Sequence, residues 1–266
     1  MRIACWQAES PRRDGPGLLE RIARAAADAR AAGAELLVTP EMSTVGYPVR
    51  GDVAEDPTAA VAGIAADTGV AIVFGWPRRA HDGVRNAATL VSGTGEVLAT
   101  YDKAHLYGSV DRSVFTAGGE PVVRAELGGL SVGLLVCYDV EFPEAVRAHA
   151  LAGTELLVVP TALMRPWEFV AEVLVPARAF ESQLHIAYTN WVGARGGLDF
   201  CGLTRVVGPH GRVTAGAGGA EELVVADVDP AELAAARATT PYLRDRRPEL
   251  YRGLVEAAPT AAENRP

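Results

Sequence analysis

Cysteine is scarce in this chain of 266 residues, and the three present, Cys5, Cys137 and Cys201, are an odd number. That argues against a secreted disulfide scaffold and for a reducing compartment. A chain this long buries enough apolar surface to need no covalent staple. Long apolar runs are missing as well: stretches such as Leu134–Cys137 and Leu156–Val159 fall far short of the ~20 residues of a membrane span. The N-terminal segment MRIACWQAES enters an apolar stretch directly, with no signal-peptide core. Positive charge is in deficit, 25 Lys+Arg against 33 Asp+Glu for a formal charge of −8, which disfavours nucleic acid and anionic membranes as partners. There is no CxxC, HExxH or GxGxxG, so a metal site is not expected. What is left reads as an ordinary globular protein of the cytoplasm.

Strand and helix signals alternate along most of the chain. Ile3–Gln7 predicts a strand, and residues 16–32 a helix with Leu19, Ile22, Ala26 and Ala29 on one face and Gly33 as its stop. Glu35–Thr39 reads as a buried strand. Asp56-Pro57 predicts a helix start, as N-cap and first residue, with the end near Gly69 and a strand at Val70–Gly75. Two hairpins are expected. One joins Asn86–Ser92 to Glu96–Tyr101 through Gly93-Thr94-Gly95, the other Cys201–Val207 to Arg212–Thr214 through Pro209-His210-Gly211. An α/β fold of mixed sheets covered by helices follows. The segment GAELLVTP at 33–40 is echoed by GTELLVVP at 153–160, which reads either as a common βαβ pattern or as two related halves. One domain spans 1–256, and the small, polar stretch 257–266 reads as a tail.

Chemistry gathers where apolar strands end. Cys5 and Cys201 lie inside strand patterns and read as core. Cys137 closes the apolar run 130–136, and Pro143-Glu144 marks a helix beginning just beyond it. A thiol in that position is expected to favour its thiolate. None of the five histidines has a telling context, and His149 is expected on a helix surface. Glu41 follows the strand 35–39 within TPEM, and Lys103 follows the hairpin strand within YDKAHL. Pro176 is expected to break the helical pattern 167–183 or to start a new helix. The Arg244-Arg246-Arg247 cluster is interleaved with Asp245 and Glu249, and reads as solvated surface or a subunit contact.

Pro40-Glu41, Tyr101-x-Lys103-x-His105-Leu106 and Cys137-Tyr138-Asp139-x-x-Phe142-Pro143-Glu144 together resemble the nitrilase superfamily of carbon–nitrogen hydrolases. The resemblance runs through Gly46-Tyr47, Asn86, Phe115-x-x-Gly118, Arg178-Ala179-x-Glu181, Asn190 and Gly202-x-Thr204. It implies a four-layer α-β-β-α sandwich and a Glu-Lys-Cys triad that requires no metal or organic cofactor. Cys137 would attack an amide carbonyl, Glu41 would move the protons, and Lys103 with the Tyr138 backbone N–H would hold the oxyanion. The family's fourth carboxylate falls on Asp111, one methylene shorter than the usual glutamate. Family members associate through helices near the site, so a homodimer or larger homo-oligomer is implied.

Nitrile-hydrolysing members read Cys-Trp-Glu after the nucleophile, and N-carbamoyl hydrolases carry arginines there. Here Asp139-Val140-Glu141 follows, which would repel an anion and attract a cation. The pattern is most similar to amidases of the 5-aminopentanamidase kind, with a small primary amide as substrate and with nitrilase or N-carbamoyl amide hydrolase as alternatives. Tyr47, Tyr138, Glu141, Met164 and Trp167 are the candidate substrate contacts. A non-catalytic binding member of the fold would have lost Glu41, Lys103 or Cys137, and all three are present.

Overall fold

A computed structural model describes residues 1–11, 17–49 and 55–256; the expected tail at 257–266 and the first residue of the expected helix at 16 lie outside the described residues. The chain opens with β1 (Arg2–Glu9), α1 (Leu18–Ala31), β2 (Leu36–Val38), α2 (Thr58–Thr68), β3 (Ala71–Ala80), β4 (Gly83–Val91) and β5 (Val97–Asp102). A short α3 (Gly108–Arg112) leads to β6 (Val123–Leu127), β7 (Leu130–Leu134), α4 (Pro143–Leu151), β8 (Leu156–Pro160), α5 (Val175–Ser182) and β9 (His185–Thr189). The last third holds β10 (Trp191–Arg195), β11 (Leu198–Cys201), β12 (Arg205–Val207), β13 (Val213–Gly216), β14 (Glu222–Asp227) and α6 (Pro230–Thr239).

Two sheets result, and they are built alike. In the first, the order β14-β1-β2-β3-β4-β5 runs antiparallel, parallel, parallel, antiparallel, antiparallel. In the second, β6-β7-β8-β9-β12-β13 repeats the same sequence of senses. The echoed segments fall on β2 and β8, each at an equivalent place between two parallel neighbours. The echo therefore marks two related halves, and β10 and β11 extend the first sheet beside the end of β1.

Side-chain alternation sets the layers. In the first sheet, Ile3, Cys5, Leu36, Val38, Ala71, Val73, Ala88 and Leu90 pack into the core shared with the second sheet. Their neighbours Ala4, Trp6, Leu37, Ile72 and Phe74 pack instead against Leu18, Ile22, Ala25, Ala26 and Ala29 of α1 and Val61 and Ala65 of α2. Such strands are buried on both faces, which is why they read as continuous apolar runs. The second sheet is covered by α4 and α5, whose Val146, Ala150, Val175 and Ala179 join the shared core. The α-β-β-α sandwich is the fold.

Several boundaries differ from the sequence reading. Helix α2 starts one residue later than expected, at Thr58, while Asp56 still caps it by accepting the Thr58 N–H at 2.8 Å. The stretch 201–207 is not one strand: Leu203 turns in the left-handed region (φ 61°) and the chain crosses from β11 in the first sheet to β12 in the second. The strand expected to end at Gly75 continues to Ala80 and folds back through His81-Asp82 into β4. Pro77 is tolerated there because β2 pairs only with Ala71–Val73, leaving that part of β3 without a neighbour on one side. His149 is buried rather than exposed. Its Nδ1 lies 3.1 Å from Thr154 Oγ1, and burial pushes its pKa down to about 4. Pro176 neither breaks the helical pattern nor starts a separate helix: the backbone is helical without interruption over 168–182, and α5 continues a π-type turn over Val170–Leu174.

The buried strand β8 sets a stability expectation. Leu156→Ala removes side-chain atoms from a fully buried site and should cost about 2–5 kcal/mol in denaturant unfolding. Leu254→Ala, at a position 76% exposed, should leave stability within about 0.5 kcal/mol.

Candidate active site

Glu41, Lys103 and Asp111 converge at the edge of the first sheet. Glu41 follows β2, Lys103 follows β5 and Asp111 lies on α3; the three side chains are at most 1% exposed. The Lys103 ammonium donates to Glu41 Oε1 at 2.8 Å and to Asp111 Oδ2 at 2.7 Å. Asn86 Nδ2 donates to the same Glu41 oxygen at 2.6 Å. Asp111 is itself fixed by the Tyr47 hydroxyl at 2.9 Å and the Tyr107 N–H at 2.9 Å. Glu41 Oε2 is buried with no hydrogen-bond partner among the described residues, so one oxygen of this carboxylate is left to accept a proton.

Close backbone approaches hold this arrangement. Trp191 Nε1 donates to the Glu41 carbonyl at 2.8 Å. A Cβ at Gly75 on β3 would lie 2.4 Å from the Met42 nitrogen and 3.0 Å from Glu41 Cα, so only glycine lets β3 pass this turn. Gly118 plays the same part after Lys103, where a Cβ would meet the Asp102 carbonyl oxygen at 2.2 Å.

Cys137 comes from the second sheet. It follows the extended end of β7 and opens a 3-10 turn over Cys137–Glu141 in a left-handed conformation, φ 47°. A non-glycine residue held there stores about 1–3 kcal/mol of strain. Arg178 of α5 braces the turn, its Nη2 donating to the Glu141 carbonyl at 2.7 Å and its Nε to that of Val140 at 3.2 Å; Glu181 pairs with it at 3.0 Å.

The electrostatics correct one expectation. Burial pushes the Cys137 thiol well above its ordinary value and the Glu41 charge adds to this, so that Lys103 does not offset them. The thiolate is not favoured at rest. Burial also raises Glu41, against the pull of Lys103. Burial works against the Lys103 charge, yet Glu41 and Asp111 hold it well above the usual lysine range.

A cavity of about 200 Å³ opens over these groups. Tyr47, Lys103, Cys137, Tyr138, Glu141, Met164 and Trp167 line it, together with Tyr107, Ala162, Leu163 and Val170. All of the expected substrate contacts therefore share one cavity, although Trp167 is 52% exposed at its rim. Asp139 does not face this space: it is fully buried and bonded to Tyr101, His105 and Val136, so it attracts no substrate. Asn86 and Tyr107 are site residues the sequence reading did not assign. The signal for Asn86 was an asparagine inside an otherwise apolar strand, where β-propensity disfavours it.

The family model described as carbon-nitrogen hydrolase matches residues 2–238. The chain belongs to the carbon–nitrogen hydrolase family. A Pseudomonas protegens protein, "Hydrolase in pqqF 5'region", is 42% identical over 263 residues, 96% of this chain and 92% of its own length. A 2-oxoglutaramate amidase from Bacillus subtilis is 32% identical over 82% of this chain and 87% of its own. Among solved structures, an amidase from Nesterenkonia sp. AN1 superposes with a TM-score of 0.86 at 41% identity, covering 96% of this chain and 99% of that one. In a glutamate-to-glutamine mutant of that amidase, the acetamide moiety of fluoroacetamide is covalently added at the active-site cysteine.

Gly75→Ala provides a test of the close approach. It should displace Glu41 and lower kcat/KM for a substrate of this enzyme by about 100-fold, while circular dichroism reports a folded protein.

Proposed function

We propose that this carbon–nitrogen hydrolase cleaves small primary carboxamides to the acid and ammonia through a cysteine thioester. The observation that carries the reading is the buried Glu41–Lys103–Asp111 cluster, whose Lys103 lines the same cavity as Cys137. The similarity to amidases supports it.

Cys137 begins as a thiol. Glu41 takes its proton as sulfur attacks the amide carbon, and the negative charge that forms on the carbonyl oxygen falls beside the Lys103 ammonium and the Tyr138 N–H. Collapse of the tetrahedral species breaks the C–N bond, and the proton on Glu41 goes to the departing amine. Water then enters, Glu41 takes its proton, and attack on the thioester releases the acid and restores the thiol. Asp111 keeps Lys103 oriented and charged. Its shorter side chain is sufficient because α3 brings it within 2.7 Å of the ammonium.

Glu141 gives the substrate preference. Among the described residues no hydrogen bond or ion pair engages its carboxylate, it lines the cavity with Tyr107, Tyr138 and Trp167, and burial raises its pKa to about 6. A carboxylate among aromatic faces favours an amide carrying an ammonium group. The catalytic unit spans 1–256, because the first sheet supplies Glu41 and Lys103 and the second supplies Cys137. The protein works in a reducing cytoplasm, since Cys5, Cys137 and Cys201 are all free thiols. It self-associates through the apolar side chains that Phe169, Val173 and Phe180 expose on the helical run 168–182; light scattering should give a mass above the 27.9 kDa of one chain.

Two measurements test the chemistry. Cys137→Ala should abolish ammonia release from a primary amide in a panel that also holds a nitrile and an N-carbamoyl amine; retained turnover contradicts the mechanism. For an amino-substituted amide, kcat/KM should fall as pH drops through about 6, because protonated Glu141 no longer attracts the cation. Glu141→Gln should remove that step and lower kcat/KM by about tenfold, while a neutral amide shows only the acid limb of Glu41.

A further inference from the structure

The catalytic lysine and the nucleophile belong to different sheets, and no hydrogen bond between their side chains fixes their spacing. We infer that Asp139 sets it, as a positioning residue that clamps the end of β5 to the nucleophile turn. This rests on the proposed mechanism, in which the oxyanion is shared between Lys103 and the Tyr138 N–H.

All four of its bonds point that way. Asp139 Oδ1 accepts the His105 N–H at 2.8 Å and lies 2.8 Å from His105 Nδ1. Oδ2 accepts the Tyr101 hydroxyl at 3.0 Å and the Val136 N–H at 3.1 Å. Tyr101 and His105 flank Lys103 by two residues on either side, and Val136 directly precedes Cys137. One fully buried carboxylate thus holds both sides of the lysine segment against the backbone that carries the thiol. The Tyr101 hydroxyl also accepts the Ala104 N–H at 3.3 Å, closing the loop around Lys103. His105 is kept in place on its other side by stacking on Phe142, with ring centroids 3.9 Å apart.

Arg178 holds the far end of the same turn only through the carbonyls of Val140 and Glu141, and it reaches nothing on β5. The clamp therefore bears on one relation, that of Lys103 to the Cys137–Tyr138 peptide. A displacement of about 1 Å there is enough to cost about 100-fold in a reaction that needs an aligned oxyanion site. A reaction that needs only the thiolate is not affected in that way.

The test compares those two reactions in the intact protein. Acylation is read as the pre-steady-state release of p-nitrophenolate from p-nitrophenyl acetate, in which the Cys137–carbonyl bond forms and the acyl C–O bond to the leaving phenolate breaks. Alkylation is read as the rate of Cys137 modification by iodoacetamide, a displacement at carbon that generates no oxyanion. Asp139→Asn should slow acylation by about 30–100-fold and alkylation by less than about threefold. Tyr101→Phe, which keeps the carboxylate and removes one bond, should show the same selectivity at about 3–10-fold, and it decides the matter if Asp139→Asn does not fold. Equal loss of both reactions, or loss of neither, overturns the clamp. A wild type that gives this release but frees no ammonia from any amide refutes the amidase reading and leaves the clamp to be judged on the same ratio. A wild type that releases no p-nitrophenolate, in the first turnover or in steady state, and frees no ammonia from any amide refutes both.

Discussion

The Lys103 ammonium sits between two carboxylates with almost no solvent, 2.8 Å from Glu41 and 2.7 Å from Asp111. Removing three charges from water costs several kcal/mol for each, and short charge-assisted hydrogen bonds must offset that. The surroundings show how they do so: Asn86, Tyr47 and the Tyr107 N–H all donate to the carboxylates. Two carboxylates to one ammonium leave the cluster negative. Ionising Cys137 beside it would add a second negative charge in a buried space, which is why the thiol is held up and why sulfur chemistry here has to begin with proton transfer to Glu41.

The fold builds this cluster by placing strand ends from two related halves around one cavity. Glu41 and Lys103 are delivered by the parallel and antiparallel parts of the first sheet, and Cys137 by the β7 edge of the second. The equivalent arrangement of the sheets makes their ends meet, and the shared core of Ile3, Val38, Val73, Leu134 and Val158 keeps them in register. Of the four left-handed non-glycine residues among the described residues, two lie at these strand ends. Met42, next to Glu41, and Cys137 both take left-handed backbone conformations, which aim catalytic groups away from the straight course of their strands.

Much of this was legible from the chain. Apolar runs bounded by turn residues located β1, β2, β7 and β8, because strands buried on both faces carry little else. The position of Glu41, Lys103 and Cys137 at the ends of such runs then marked the site. The return of β3 into β4 was not legible, since Pro77-Arg78-Arg79 reads as an exposed break until the short reach of β2 is known. His149 misled for a related reason: a polar residue on a short helix reads as surface, and only the packing against β7 buries it. Asp139 and Glu141 are two residues apart and chemically alike, yet one is a buried strut and the other a cavity wall. Sequence spacing carries no information on which is which, because a 3-10 turn sends them to different sides. The state of the thiol was also misjudged from a helix start alone, as the negative cluster facing it comes from distant parts of the chain.

The central claim is that Cys137 rests as a thiol against a negative, buried cluster and is ionised only by giving its proton to Glu41. The direct measurement is the ultraviolet thiolate band of the wild type minus that of Cys137→Ala, followed across pH in the absence of substrate. The account predicts no thiolate at neutral pH, and a band that grows in only above the ordinary thiol range. A thiolate already present at neutral pH would contradict it.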